Sequence, residues 1–248
     1  MRSVRGAILL SAFLVLGLPA FSADPAPGKQ VPLVFEKTVA GQAVRYNYLL
    51  YLPKGYVASG TKKFPLLLFL HGMGERGDNV DRIRKHGIPK IVEKPEQVDF
   101  PFIAASPQCP GNSFWTKEVE GLDAFLAELV ATYAVDPHRV YLTGLSMGGF
   151  GTWAWSCAHP DRFAALVPIC GAGDPAKAAA IKDIPTWVFH GAKDTTVKPI
   201  KSEEMVNAIK AAGGNPKFTL YPDAGHDSWT VTYDNPELYA WLLKQSRN

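Results

Sequence analysis

The stretch Thr143-Gly144-Leu145-Ser146-Met147-Gly148 sets a serine between two glycines, where a β-branched and aromatic run (Arg139 to Thr143) gives way to a small-residue and aromatic run (Phe150 to Ala158). A nucleophile held on a sharp strand-to-helix turn needs this spacing, because the backbone there is strained and flanking side chains would crowd it. A serine hydroxyl is a weak nucleophile alone. It requires a base to take its proton and an acid to orient that base and stabilise its charge. Further along lie His190-Gly191-Ala192-Lys193-Asp194 and Asp223-Ala224-Gly225-His226-Asp227. A serine, an acid and a histidine therefore occur in the order Ser146, Asp194, His226. Asp223, Asp227, Asp174 and Asp183 are rival acids. His71 and His190 are rival bases, each followed by glycine and better suited to bracing loops.

The elements that must position these groups can be read from hydrophobic runs. Val31 to Thr38 and Ala43 to Leu52 read as two strands joined at Gly41-Gln42. Phe64 to Leu70, Phe102 to Ala105, Val140 to Thr143, Ala165 to Ile169, Thr186 to Phe189 and Lys217 to Tyr221 are short, largely apolar runs, as in strands covered on both faces. Helical patterns fall between them, at Val119 to Tyr133, Phe150 to Ala158 and Ile200 to Ala212, with a last one at Pro236 to Lys244. Alternating strands and helices imply an α/β fold with a mainly parallel sheet and right-handed crossovers. In such a sheet the site forms at the carboxyl ends of the strands, where Ser146, Asp194 and His226 all fall.

The chain of 248 residues suits one domain, and 47% hydrophobic with 20% charged residues describes a well-cored globular protein. Arg2 and Arg5 precede an apolar stretch from Ala7 to Leu18 and small residues at Ala20, Ser22 and Ala23. This is the pattern of a secretory signal peptide, with cleavage placed after Ser22 and Ala23 as the rival position. The apolar stretch is shorter than the roughly 20 residues that span a bilayer. The expectation is an exported chain, periplasmic or secreted, with residues 23–30 a flexible lead-in and the domain at 31–248. Losing Arg2 and Arg5 takes the formal charge from +3 to +1, so no nucleic-acid partner is expected. With Cys109, Cys157 and Cys170 in an oxidising compartment, one pair could bridge, and the sequence does not choose which. No metal-ligand spacing, phosphate loop or dinucleotide fingerprint is present, so no cofactor is expected.

The chain resembles the serine esterases and predicted peptidases of the α/β-hydrolase superfamily, with poly-hydroxybutyrate-depolymerase-like and feruloyl-esterase-like enzymes as neighbours. The resemblance rests on PLLLFLHGMGERGDN, SPQCP, VYLTGLSMGGFGTWAW, VFHGAKD and AGHDSW, and runs from about Val31 to the end. It implies an α/β-hydrolase fold and selects Asp194 as the acid and His226 as the base. It also implies an oxyanion hole made by the backbone N–H groups of Met73 and Met147. Trp115 and Trp229 are candidate walls of a substrate pocket, with a core role as the alternative for each. Trp153 and Trp155 read as core. Glu75, Arg76 and Asp78 read as an ion-paired loop holding Met73 in place. The expected activity is hydrolysis of short-chain or soluble carboxylic esters, small or polysaccharide-linked. The alternatives are a serine peptidase, a feruloyl or acetyl esterase acting on plant polysaccharide, and an inactive hydrolase-fold binding module.

Overall fold

The computed structural model describes residues 25–94 and 99–247, so the expected signal peptide lies outside the described residues. Among the described residues, eight strands form one sheet: β1 (Gln30–Val39), β2 (Gln42–Tyr51), β3 (Phe64–Leu70), β4 (Ile103–Pro107), β5 (Val135–Leu145), β6 (Ala165–Ile169), β7 (Trp187–Gly191) and β8 (Lys217–Tyr221). Their spatial order is β1-β2-β4-β3-β5-β6-β7-β8. β1 and β2 pair antiparallel, as do β2 and β4, and all later pairings are parallel. The helices are α1 (Gly87–Val92), α2 (Val119–Thr132), α3 (Met147–Ala158), α4 (Ile200–Ala211), α5 (Trp229–Tyr233) and α6 (Pro236–Leu242), with short 3-10 turns between them. This is the α/β-hydrolase fold, in a single domain.

The apolar runs explain the layering. Every residue of β3 is buried, and its side chains alternate between two cores. Leu66, Leu68 and Leu70 pack with Phe125, Leu142 and Trp153 on one face. Leu67 and Phe69 pack with Tyr141, Val167 and Phe189 on the other. Trp153 and Trp155 are core residues, as the sequence implies.

Several expected boundaries move. The β1–β2 turn is Ala40-Gly41, one residue earlier than expected, with both residues at positive φ (49° and 81°), as a two-residue hairpin prefers. β5 starts at Val135 because the chain pairs with Phe64 before a register shift brings Leu66 opposite Val140. α3 begins at Met147 rather than Phe150, and α1 and α5 are too short to carry a periodic signal. The lead-in is pinned where it is described: Pro25 is buried and the Gly28 N–H donates to the Leu52 carbonyl at 2.8 Å. All three cysteines are free.

Candidate active site

The site begins at the end of β5. Ser146 adopts φ 51° and ψ −116°, a conformation a non-glycine residue rarely takes, and lies immediately before α3. Close packing holds that conformation. A Cβ added to Gly148 would lie 1.8 Å from the Leu70 carbonyl oxygen, and one on Gly144 would lie 2.3 Å from the Gly148 carbonyl oxygen. The elbow is thus wedged between β3 and the first turn of α3. The Ser146 N–H donates to the Ile169 carbonyl at 3.0 Å, tying it to β6.

Three of the expected residues converge. His226 Nε2 lies 2.9 Å from Ser146 Oγ, and His226 Nδ1 lies 2.7 Å from Asp194 Oδ2. Asp194 is buried beyond the end of β7, and its Oδ1 accepts the N–H groups of Thr196 (2.8 Å) and Val197 (3.0 Å). Burial alone would raise its pKa. The His226 hydrogen bond and these two N–H groups outweigh burial and hold the carboxyl below its ordinary value. The acid is therefore ionised at neutral pH, and His226 carries its hydrogen on Nδ1 with Nε2 turned to the serine. The His226 side chain keeps 22% exposure while that of Asp194 has none, so the line runs from solvent inward.

The rival groups have other partners. Asp227 accepts the Thr230 N–H and hydroxyl at the start of α5, and Asp223 pairs with Lys193 at the surface. Asp174 caps a 3-10 turn, and Asp183 pairs with Lys182. His71 is buried behind the loop after β3: its Nδ1 donates to the Gly72 carbonyl (2.6 Å) and its Nε2 accepts the Cys109 N–H (3.0 Å). Burial dominates there and pulls its pKa down to about 4, so His71 is a neutral strut. His190 is buried against Asp194 and Ser202.

Met73 and Met147 each begin a helical turn, so neither N–H has an acceptor within its own turn. The Met73 side chain is 54% exposed and that of Met147 is buried. The loop carrying Met73 is held by long-range polar contacts. Trp115 is fully buried, donates from Nε1 to the His71 carbonyl at 2.9 Å and meets the His71 ring edge-on. It cannot wall an open pocket: it is a strut beneath the loop, placed there because its bulky ring fills the core and its N–H finds a carbonyl. Gln108, within the SPQCP motif but given no role from the sequence, donates from Nε2 to the Glu75 and Asn79 carbonyls, both at 2.8 Å. Arg76 donates to the Met73 and Ser113 carbonyls and lies over the Phe114 ring. The loop is therefore braced by bonds to carbonyls, not by the ion pairs the sequence suggests. Trp229 stands edge-on to His226, with ring centroids 5.3 Å apart, and His86 packs against its ring.

One cluster has the composition of a metal site. Cys170, Asp194 and His226 offer ligand atoms within 4.8 Å of one another. Asp194 and His226 already bond each other, and burial pushes the Cys170 thiol up to about 12, so deprotonating it for a metal is costly.

The model of the dienelactone hydrolase family matches residues 109–237, just over half of the chain. The chain belongs to the dienelactone hydrolase family. This family member is similar to poly(3-hydroxyalkanoate) depolymerase C of Paucimonas lemoignei, at 40% identity over 121 residues, covering 36% of this chain and 29% of the depolymerase. It is also similar to a bifunctional acetylxylan esterase/xylanase of Neocallimastix patriciarum, at 28% identity over 134 residues, covering 52% of this chain and 19% of that protein. The chain thus spans less than a third of the length of either curated relative. Among solved structures, that of a thermostable esterase superposes with a TM-score of 0.78 at 36% identity, covering 87% of this chain and 63% of the esterase.

Proposed function

We propose that this family member is an exported serine hydrolase that cleaves short-chain or soluble carboxylic esters through an acyl-enzyme. The observation that carries the reading is the unbroken line from Ser146 Oγ to His226 (2.9 Å) to Asp194 (2.7 Å), with the serine at a strained turn before a helix. In the proposed reaction His226 Nε2 takes the Ser146 proton as Oγ attacks the ester carbonyl. The negative charge forming on the carbonyl oxygen is stabilised by the Met73 and Met147 N–H groups and by the positive end of α3. Collapse expels the alcohol, which takes the proton back from His226. Water, deprotonated by His226, then attacks the acyl carbon and frees the acid and the serine. Trp229 walls the site beside His226. Asp194, held ionised by its hydrogen bonds, stabilises the imidazolium formed in each half-reaction. Export is supported by the basic, apolar and small-residue pattern of residues 1–22.

The test is hydrolysis of a p-nitrophenyl ester series, acetate to palmitate, by the protein cleaved after residue 22 and by its Ser146→Ala variant. Short-chain turnover is expected, falling in the variant by a factor on the order of 10⁴ to 10⁶. Turnover that survives the substitution would overturn the assignment of Ser146.

A further inference from the structure

The two oxygens of Asp194 are shared unevenly. Oδ1 is held by backbone, through the N–H groups of Thr196 and Val197. Oδ2 is held by two imidazoles: His226 Nδ1 at 2.7 Å and His190 Nε2 at 3.1 Å. His190 Nε2 also lies 2.8 Å from the Val197 carbonyl oxygen. Both of its neighbours are acceptors, so this nitrogen carries the hydrogen. Nδ1 of the same ring faces Ser202 Oγ on α4 at 2.7 Å, and that hydroxyl also reaches the Gly171 carbonyl at 3.4 Å. Both ring nitrogens are therefore bonded, and the ring is fully buried.

We propose that His190 is a positioning residue of the active site, a buried Nε2–H donor braced by Ser202, which aims Asp194 Oδ2 at His226 and takes up part of that oxygen's charge. The inference rests on the triad reading given above. An oxygen that accepts two N–H groups offers less negative charge to each. His190 therefore tempers the negative charge that Asp194 presents to His226. Other groups face the pair from the surrounding elements. Cys170 at the end of β6 lies within 4.8 Å of both ligand atoms, and Asp227 follows His226 on the loop after β8. His86, before α1, stands against the far side of Trp229, and Ser146 is on the elbow. All of these are retained when His190 is changed, so a difference between variants reports on His190.

The experiment measures kcat and KM against pH on p-nitrophenyl acetate for the wild type, His190→Leu, His190→Gln, Ser202→Ala and Ser146→Ala, with folding checked by circular dichroism. In His190→Leu, kcat is expected to fall about tenfold with KM within about twofold. The acid limb of kcat/KM is expected to move to higher pH by about half a unit. His190→Gln, whose amide can still donate to Oδ2, is expected to restore most of both. Ser202→Ala is expected to move the limb in the same direction by less. An acid limb in His190→Leu and Ser202→Ala that coincides with the wild type's, whatever the loss of rate, would reduce His190 to a packing residue and overturn the proposal. A moved limb that Gln does not restore would overturn the donor role. If His190→Leu does not fold, the Ser202→Ala limb decides in the same way. Ser146→Ala is read separately: wild-type turnover there overturns the triad reading itself, independently of His190.

Discussion

The two halves of the candidate site are held by different forces. The elbow at Ser146 is packed backbone against backbone: Ser146 sits at positive φ, and Gly144 and Gly148 leave no room for a side chain beside the Gly148 and Leu70 carbonyl oxygens. The loop from Gly72 to Gly77, which carries the proposed oxyanion donor Met73, is fixed by side chains reaching in from the segment after β4, namely Trp115 and Gln108, with the Cys109 N–H caught by His71. The first arrangement is steric and all-or-none, whereas the second is a sum of hydrogen bonds that can be lost one at a time. A single substitution should therefore cost more at the elbow than at any one support of the loop.

The strongest way to break this contrast is Gly148→Ala. A methyl 1.8 Å from a backbone oxygen cannot be accommodated by turning a side chain. The variant is expected to lose about 3 kcal/mol or more of stability, read as the urea midpoint, together with esterase activity. A soluble, active Gly148→Ala enzyme would mean that the elbow yields.

His71 gives a pH signature for the softer half. Its pKa is about 4 in the folded protein against 6.5 as an ordinary histidine, so between those values the unfolded chain binds the extra proton. Stability then falls as pH drops from 6.5 towards 4, by up to about 3 kcal/mol, and this contribution is constant above 6.5. Urea titrations across that window should show the slope, and His71→Gln should flatten it.

Trp115→Phe keeps an aromatic ring but removes the donor to the His71 carbonyl. It is expected to cost about 1–2 kcal/mol in urea unfolding and to lower kcat several-fold by loosening the loop that carries Met73. Unchanged kcat would show that the loop stands without this bond. The smallest effect is expected from Arg76→Ala, about 0.5 kcal/mol by thermal denaturation, because its two carbonyl bonds lie near solvent. A loss as large as that of Trp115→Phe would make the rim, not the buried strut, the support of the loop.

The same contrast explains what the sequence could disclose. Gly144, Ser146 and Gly148 lie within one turn of chain, so their constraint is written as a local pattern, and the apolar runs of β3, β5 and β6 are equally local. The supports of the oxyanion loop join residues 71–79 to residues 108–115, and nothing local marks Gln108 or Trp115 as partners of that loop. Trp115 has the composition of a pocket wall and the position of a buried prop. His190 is similar: its type and its following glycine were visible, but its bond to Asp194 depends on how β7 and the chain after it fold over α4. The short helices α1 and α5 were missed because five or six residues cannot show a helical period.

Among the described residues β8 closes one edge of the sheet, pairs only with β7, and leaves its residues exposed or half-covered, unlike the fully buried strands beside Ser146. The loop it launches carries His226. On the proposed mechanism the serine thus lies among fully buried strands, whereas its base hangs from the half-covered edge strand, the kind of region expected to open first. Amide exchange should be faster along β8 than along β3 or β5, and warming should detach the base, silencing the serine reversibly at temperatures below the global melt.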